Sequence, residues 1–245
     1  MEAGATLSQT SACQKGPSMK TIGWLIVAAL TASPAFADSE RGYVEATGSL
    51  GGSSASLFSG WLGSDSGGAQ VGVHATKHLF VIGELGKYKS LQPIQQPAVD
   101  SAISNLSASG LDVTSNSHLS SGYGFGGVRV QGSTMHRMAP YVLGGVGLAH
   151  LTPSVTLMYA DGTLPGADDS APPPSTGTDV TTTIVTSGLF TAPATSNAML
   201  LSLGGGATFD IARHLTADVG YRWSRINADT PIATQGVTFG VGARF

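Results

Sequence analysis

Apolar residues alternate with small or polar ones most cleanly at the carboxyl end of the chain. From Gln235 to Phe245, one face carries Val237, Phe239, Val241, Ala243 and Phe245, and the other Thr238, Gly240, Gly242 and Arg244. A strict period of two marks a β-strand lying between two unlike surroundings. The pattern returns just upstream. Leu215, Ala217, Val219, Tyr221 and Trp223 point one way, and Thr216, Asp218, Gly220, Arg222 and Ser224 the other. Strands of about nine to eleven residues, apolar on one side, suit either a soluble sandwich or a membrane-spanning barrel.

Earlier segments repeat the motif with uneven clarity. Residues 41–50 set Val44, Ala46 and Gly48 against Tyr43, Glu45 and Thr47. Residues 69–76 place Val71, Val73 and Ala75 outward, with Gln70, Gly72, His74 and Thr76 inward. A third strand, 80–88, has ambiguous facing, although Glu84 costs less inside. The fourth, 120–131, has Val128 and Val130 out and Arg129 in, with a Gly126-Gly127 pair suited to a bulge. A fifth, 141–158, is glycine-rich and its alternation blurs. The sixth, 199–211, turns Leu201, Leu203, Ala207, Phe209 and Ile211 outward and Ser202, Gly204, Gly206, Thr208 and Asp210 inward.

The links between these eight strands alternate in length. Residues 50–67, 89–119, 160–197 and 227–235 read as long loops, while 76–79, 132–138 and 212–214 read as short turns. Within the second long loop, 98–108 suits a helical turn or two. Long loops at one end and short turns at the other are the sidedness of an outer-membrane barrel. Tyr43, Tyr88, Tyr141, Trp223 and Phe245, near strand ends, are expected to form interfacial aromatic girdles. A secreted sandwich would explain the strands but not the alternating loops. The expectation is an all-β fold: an eight-stranded antiparallel transmembrane β-barrel with four long outer loops and three short turns.

Composition agrees. Charged residues make up only 11% of the chain, against 34 glycines, and the formal net charge of −3 leaves no basic surface for nucleic acid. The amino end reads as an export signal, with Met19-Lys20, an apolar core over Trp24–Leu30, and Ala35-Phe36-Ala37 before Asp38. The apolar run is too short to span a bilayer. Residues 1–18 are expected to be an upstream extension, 19–37 the signal, with cleavage between Ala37 and Asp38, and 38–245 the barrel. Cys13, the sole cysteine, is then removed, leaving no thiol for a disulfide or a metal site.

Two patches of letters carry a family resemblance. Gly220-Tyr-Arg-Trp-Ser-Arg-Ile226 and Gly236–Phe245 resemble the closing strands of small outer-membrane β-barrels of the porin-like, OmpA/opacity-type group. Pro140–Gly147 is similar to a middle strand of that group. Ala243-Arg244 departs from the group's more frequent Tyr-Arg. The resemblance implies that Phe245 is an assembly signal read by the barrel-assembly machinery, with periplasmic chaperones as further partners. It also implies outer-membrane lipid around a monomer whose two termini face the periplasm. It names a fold and no activity.

An eight-stranded interior is just wide enough for side chains to fill. Glu45, Glu84, Arg129, Asp210, Asp218, Arg222 and Arg244 fall on inward positions, and charges there must pair or bear a heavy desolvation cost. The bland reading is a plugging ion-pair network; the sharper one is a narrow or gated ion path. His78, His136 and His214 fall in the short turns as solvated residues, and His74 is expected to hydrogen-bond inside the lumen. His150 and Ser154 are the nearest approach to a base and nucleophile. The segment Trp223–Ala228 lacks the histidine of a deacylase-like motif, so neither a catalytic site nor a cofactor is expected. The loops carry Phe58, Trp61, Ile103, Leu106, Leu111, Leu189 and Phe190 among polar residues, read as flexible loops or as a contact surface for host or cell-surface ligands. The functional expectation is a non-enzymatic, adhesin-like surface protein, with a narrow solute or ion porin as the alternative.

Overall fold

The computed structural model describes residues 42–54, 65–91, 96–166 and 172–245. The expected extension, the signal, its cleavage site at Ala37 and Asp38, and the loop residues Phe58 and Trp61 lie outside them.

Eight strands form: β1 (Gly42–Ser54), β2 (Ser66–Thr76), β3 (Leu79–Leu91), β4 (Leu111–Gln131), β5 (Met138–Gly162), β6 (Ser196–Ala212), β7 (Leu215–Asn227) and β8 (Ile232–Arg244). Among the described residues two helices accompany them, α1 (Gln96–Ala108) before β4 and α2 (Thr181–Thr186) before β6. Each strand pairs antiparallel with the next, and β8 returns to β1, from Tyr43 opposite Arg244 to Ser54 opposite Ala233. Closure matters because a lipid-exposed sheet edge has no water to satisfy its backbone groups. The seam is completed beyond β8, where Gly42 and Phe245 exchange two backbone hydrogen bonds.

The period-two pattern sorts the side chains. Val71, Val81, Leu85, Val128, Val142, Val146, Leu148, Leu203, Val219 and Val241 stand exposed on the outer wall, an apolar band for lipid. The facing of β3 and β5, ambiguous in the sequence, is now clear. Phe80, Ile82, Glu84 and Tyr88 point in from β3, and Tyr141, Leu143, Ala149 and Leu151 from β5. Gly126 and Gly127 pair in unbroken register with both neighbours, so the expected bulge is not there. Register instead shifts at Tyr88/Leu91, where β3 leaves the barrel wall, at Asp112/Val113 far out on the β4–β5 hairpin, and beside the turns at His74/Thr76 and Asp210/Ala212.

Three loop expectations are corrected. Residues 89–119 are not one polar loop, since they contain the end of β3, all of α1 and the first nine residues of β4. Their serines and asparagines mask a period of two: Leu111, Val113 and Leu119 are buried while Asp112, Thr114, Asn116 and His118 are exposed. Residues 227–235 are not a long loop, because β7 and β8 extend to leave only the bend 228–231, with Ile226 paired to Ile232. Thus three outer connections are long and the fourth is tight. The long β5–β6 connection is also partly ordered, by α2 and by Tyr159 and Leu157 accepting backbone hydrogen bonds from Gly177 and Val180.

Strands β4 and β5 therefore run well past the barrel rim as a two-stranded extension, paired as far as Leu111 and Gly162. A lone hairpin is marginal in water. This one is covered: Leu106, Leu111, Val113, Leu157, Tyr159, Val180, Ile184 and Phe190 form a second apolar core, with Ala102 and Ile103 of α1 against it. Asp179 ties the base of α2, its Oδ1 accepting from the Thr181 hydroxyl at 2.6 Å and backbone N–H at 3.0 Å. Those bonds, the hydroxyl's first, hold the Asp179 carboxyl below its usual range.

Candidate functional site

Inside the barrel two ion-pair centres join into one network. Asp218 of β7 accepts from Arg129 Nη2 at 2.9 Å, from the Tyr141 hydroxyl at 2.5 Å and from the Thr208 hydroxyl at 3.0 Å. Arg129 Nη2 also donates to Thr208 Oγ1, and Nη1 lies 3.8 Å from Glu45 Oε2. Glu84 of β3, only 2% exposed, accepts from Arg222 Nη1 at 2.5 Å, from the Tyr123 hydroxyl at 2.8 Å and from Gln70 Nε2 at 2.8 Å. Gln70 Oε1 then accepts from the Tyr43 hydroxyl at 2.6 Å, and Arg129 Nη1 reaches that same hydroxyl at 3.4 Å. Seven of the eight strands contribute to this chain of contacts, and aromatic faces back both guanidiniums: Arg129 sits 3.7 Å from the Tyr141 ring centroid and Arg222 5.4 Å from that of Phe125.

The network explains an error in the expected girdles. Tyr43, Tyr88 and Tyr141 point into the lumen rather than to lipid, since Tyr43 and Tyr141 have buried hydrogen-bond partners there and Tyr88 packs 4.8 Å from Tyr123. A buried hydroxyl with a charged partner outweighs the interfacial preference of tyrosine. Tyr221 and Trp223 do face out, and the Tyr221 hydroxyl donates to Gln235 Oε1 at 2.9 Å.

Glycines on the inward face supply the room. A side chain at Gly240 of β8 would overlap the Glu45 carboxyl, and one at Gly72 would overlap the Tyr43 ring. The small residues of β8 and β2 are therefore the complement of large side chains on the neighbouring strand β1. Gly240→Ala is expected to destabilise the barrel by about 1–3 kcal/mol, because the buried Glu45 carboxylate must leave its place beside Arg129 to make room. Equilibrium unfolding in detergent micelles measures it; an unchanged midpoint would show that Glu45 moves freely.

What remains of the lumen is small. The two cavities that flank the network, of about 20 and 10 Å³, each have room for about one water. Toward the outer mouth Leu91, Leu119, Leu151, Leu200, Ile226 and Ile232 form an apolar layer, none more than 5% exposed.

Of the seven charged residues read as inward, the structure brings five together. Arg244 and Asp210 stand apart as a half-exposed pair at the short-turn end, 2.7 Å between Nη1 and Oδ1. Phe245 closes the seam by its backbone. His74 does not join the lumen network: it is exposed at the barrel end, where Nδ1 lies 3.2 Å from the Thr76 carbonyl and its ring against Phe80. His78, His136 and His214 occupy exposed positions in three separate turns. His150 Nδ1 is 2.8 Å from Asn197 Oδ1, while Ser154 lies farther along the same outward face, paired across the strands with His118. Among the described residues no group of three metal-ligating side chains converges.

Gln70, Tyr43, Tyr123, Tyr141 and Thr208 were not read from the sequence as part of the site. The signal was present in part, since Tyr43 and Gln70 lie on the same alternating faces as charged or polar neighbours.

Comparison with known proteins agrees with this architecture. The chain is similar in structure to Neisserial surface protein A at 14% identity and a TM-score of 0.50, covering 84% of this chain and 98% of that one. It is also similar to Ail, the attachment invasion locus protein of Yersinia pestis, at 10% identity and a TM-score of 0.46 over 84% and 100% of the two chains. The N-terminal β-barrel domain of Pseudomonas aeruginosa OprF aligns at 12% identity and a TM-score of 0.42 over 84% and 98%. No curated protein matches the sequence. The family described as the outer membrane protein beta-barrel domain matches residues 23–245. With that match over most of its length, and a closed ring of eight antiparallel strands, this chain belongs to the outer-membrane β-barrel family and resides in the bacterial outer membrane.

Proposed function

We propose that the barrel is a closed scaffold whose work is done by its ordered outer cap, a non-enzymatic platform for surface contacts. The observation that carries this is the second apolar core. Loops with no task beyond joining strands have no reason to extend β4 and β5 past the rim and bury Leu157 and Ile184 completely. Ordered loops on a rigid barrel lose little conformational freedom on binding, which favours recognition. The cap leaves Val185, Leu189 and Asp179 exposed to solvent.

The test is to delete residues 163–195 and to measure attachment of expressing bacteria to host cells and matrix. Attachment should fall to the level of cells lacking the protein while heat-modifiable gel mobility still reports a folded barrel. Undiminished attachment would sink the reading. The packed lumen further supports a barrel without a conducting path, so planar bilayers holding the purified protein should stay silent. Steady ion-selective openings that change in the Arg222→Gln variant would favour a channel instead.

A further inference from the structure

The end of the barrel that carries the short turns has its own chemical character. Each turn holds one histidine and one permanent cation: Lys77-His78, His136-Arg137 and Arg213-His214, all exposed. The only carboxylates among the described residues near this rim are Asp210, already paired with Arg244, and the chain terminus at Phe245. At the opposite end, Asp65, Asp100, Asp112, Asp161, Asp179 and Asp229 are exposed, against Lys87, Lys89 and Arg225. Among the described residues the two ends of the barrel thus carry opposite charge.

The middle turn adds an independent sign. Met135 and Met138 exchange backbone hydrogen bonds around a two-residue turn, and His136 and Arg137 have φ of 50° and 67°. That conformation favours Asn-Gly. Two large side chains are held there against the local preference, which is the kind of conflict found where a side chain has a task.

Apolar residues run right up to the turns. Val73 and Val81 carry the band close to the first, Met135 and Met138 flank the second, and Ile211 and Leu215 flank the third, all exposed on the outer wall. The cations therefore stand at the edge of the hydrocarbon band, at headgroup depth, rather than out in open solvent. In outer-membrane barrels the short turns face the periplasm.

We propose that the three turns form a single anionic-lipid collar, which gathers the phosphate groups of negatively charged phospholipids in the periplasmic leaflet. Lysine and arginine supply the charge, and histidine N–H groups add donors to phosphate oxygens. The collar selects a headgroup and anchors the depth of the barrel.

The test uses barrels purified from outer membranes and reconstituted in phosphatidylcholine with traces of spin-labelled phosphatidylglycerol or spin-labelled phosphatidylcholine. The protein should retain the anionic label about fivefold over the neutral one, roughly the effect of a single surface cation. High salt should erase the preference. Lys77→Ser/Arg137→Asn/Arg213→Ser should bring it below about twofold, with heat-modifiable mobility reporting the fold. Should that triple variant fail to fold, Arg137→Asn alone, which suits the turn, must still lower the preference. Lys87→Gln/Lys89→Gln at the other end should leave it intact. Equal retention of both labels by the unaltered protein overturns the proposal, as does a preference lost in the Lys87/Lys89 variant but kept in the turn variants.

Discussion

Replacing Arg129 by methionine should destabilise the folded barrel by about 3–5 kcal/mol, the usual cost of stranding a buried charge. Arg129 is 3% exposed and is the cation nearest both Asp218 and Glu45. Methionine fills much of the same space but leaves those carboxylates facing each other without a counter-charge. The effect should come from the orphaned carboxylates more than from lost packing. Asp218→Asn added to Arg129→Met should therefore restore at least about 1 kcal/mol, a coupling of the size expected for groups in direct contact. Reversible urea unfolding in micelles, followed by tryptophan fluorescence, measures both variants. A loss under about 1 kcal/mol for Arg129→Met would mean that water reaches the network and screens it.

The second large effect should be confined to the cap. Ile184 of α2 is fully buried in the outer core, and truncating such a residue to alanine costs about 2–5 kcal/mol. The outer and luminal cores share no residue, so the cost should fall on the cap while the barrel keeps its stability. Ile184→Ala should raise proteolytic nicking within residues 163–195 by roughly a hundredfold if cleavage follows local opening. Heat-modifiable mobility of the barrel should stay unchanged. Equal nicking rates would show that the cap is not held by this core. A matching fall in barrel stability would show that the cap and lumen are one cooperative unit.

Much of the architecture was legible from period and punctuation. Strands β6, β7 and β8 advertise their facing because lipid accepts only apolar side chains and the lumen rewards small or polar ones, so every second residue is constrained. Turns such as Lys77-His78 are legible because two apolar runs stop on either side of them. The charged lumen residues followed from the same alternation, since a residue beside Val128 and Val130 on an outward-facing pattern must itself point in.

The sequence was silent where the outer surroundings change. Beyond the rim, water replaces lipid on the outer face of β4 and β5. Their exposed positions there, such as Asn116 and His118, become polar, and strand and loop look alike in composition. The inward positions Leu111, Val113 and Leu157 keep the period, but what they pack against lies in α1 and α2, the second about two dozen residues beyond Leu157. Tyrosine was ambiguous for a related reason. An aromatic ring with a hydroxyl suits an interface and a lumen equally, and only the placement of Gln70 and Asp218 beside Tyr43 and Tyr141 decides between them. The sequence by itself determined that eight strands exist and which way most of them face, because those are set by each residue's immediate solvent. The tertiary structure alone decided that the charges join into one network, that the lumen is filled and that the outer loops share a core, because each depends on strands meeting around a closed ring.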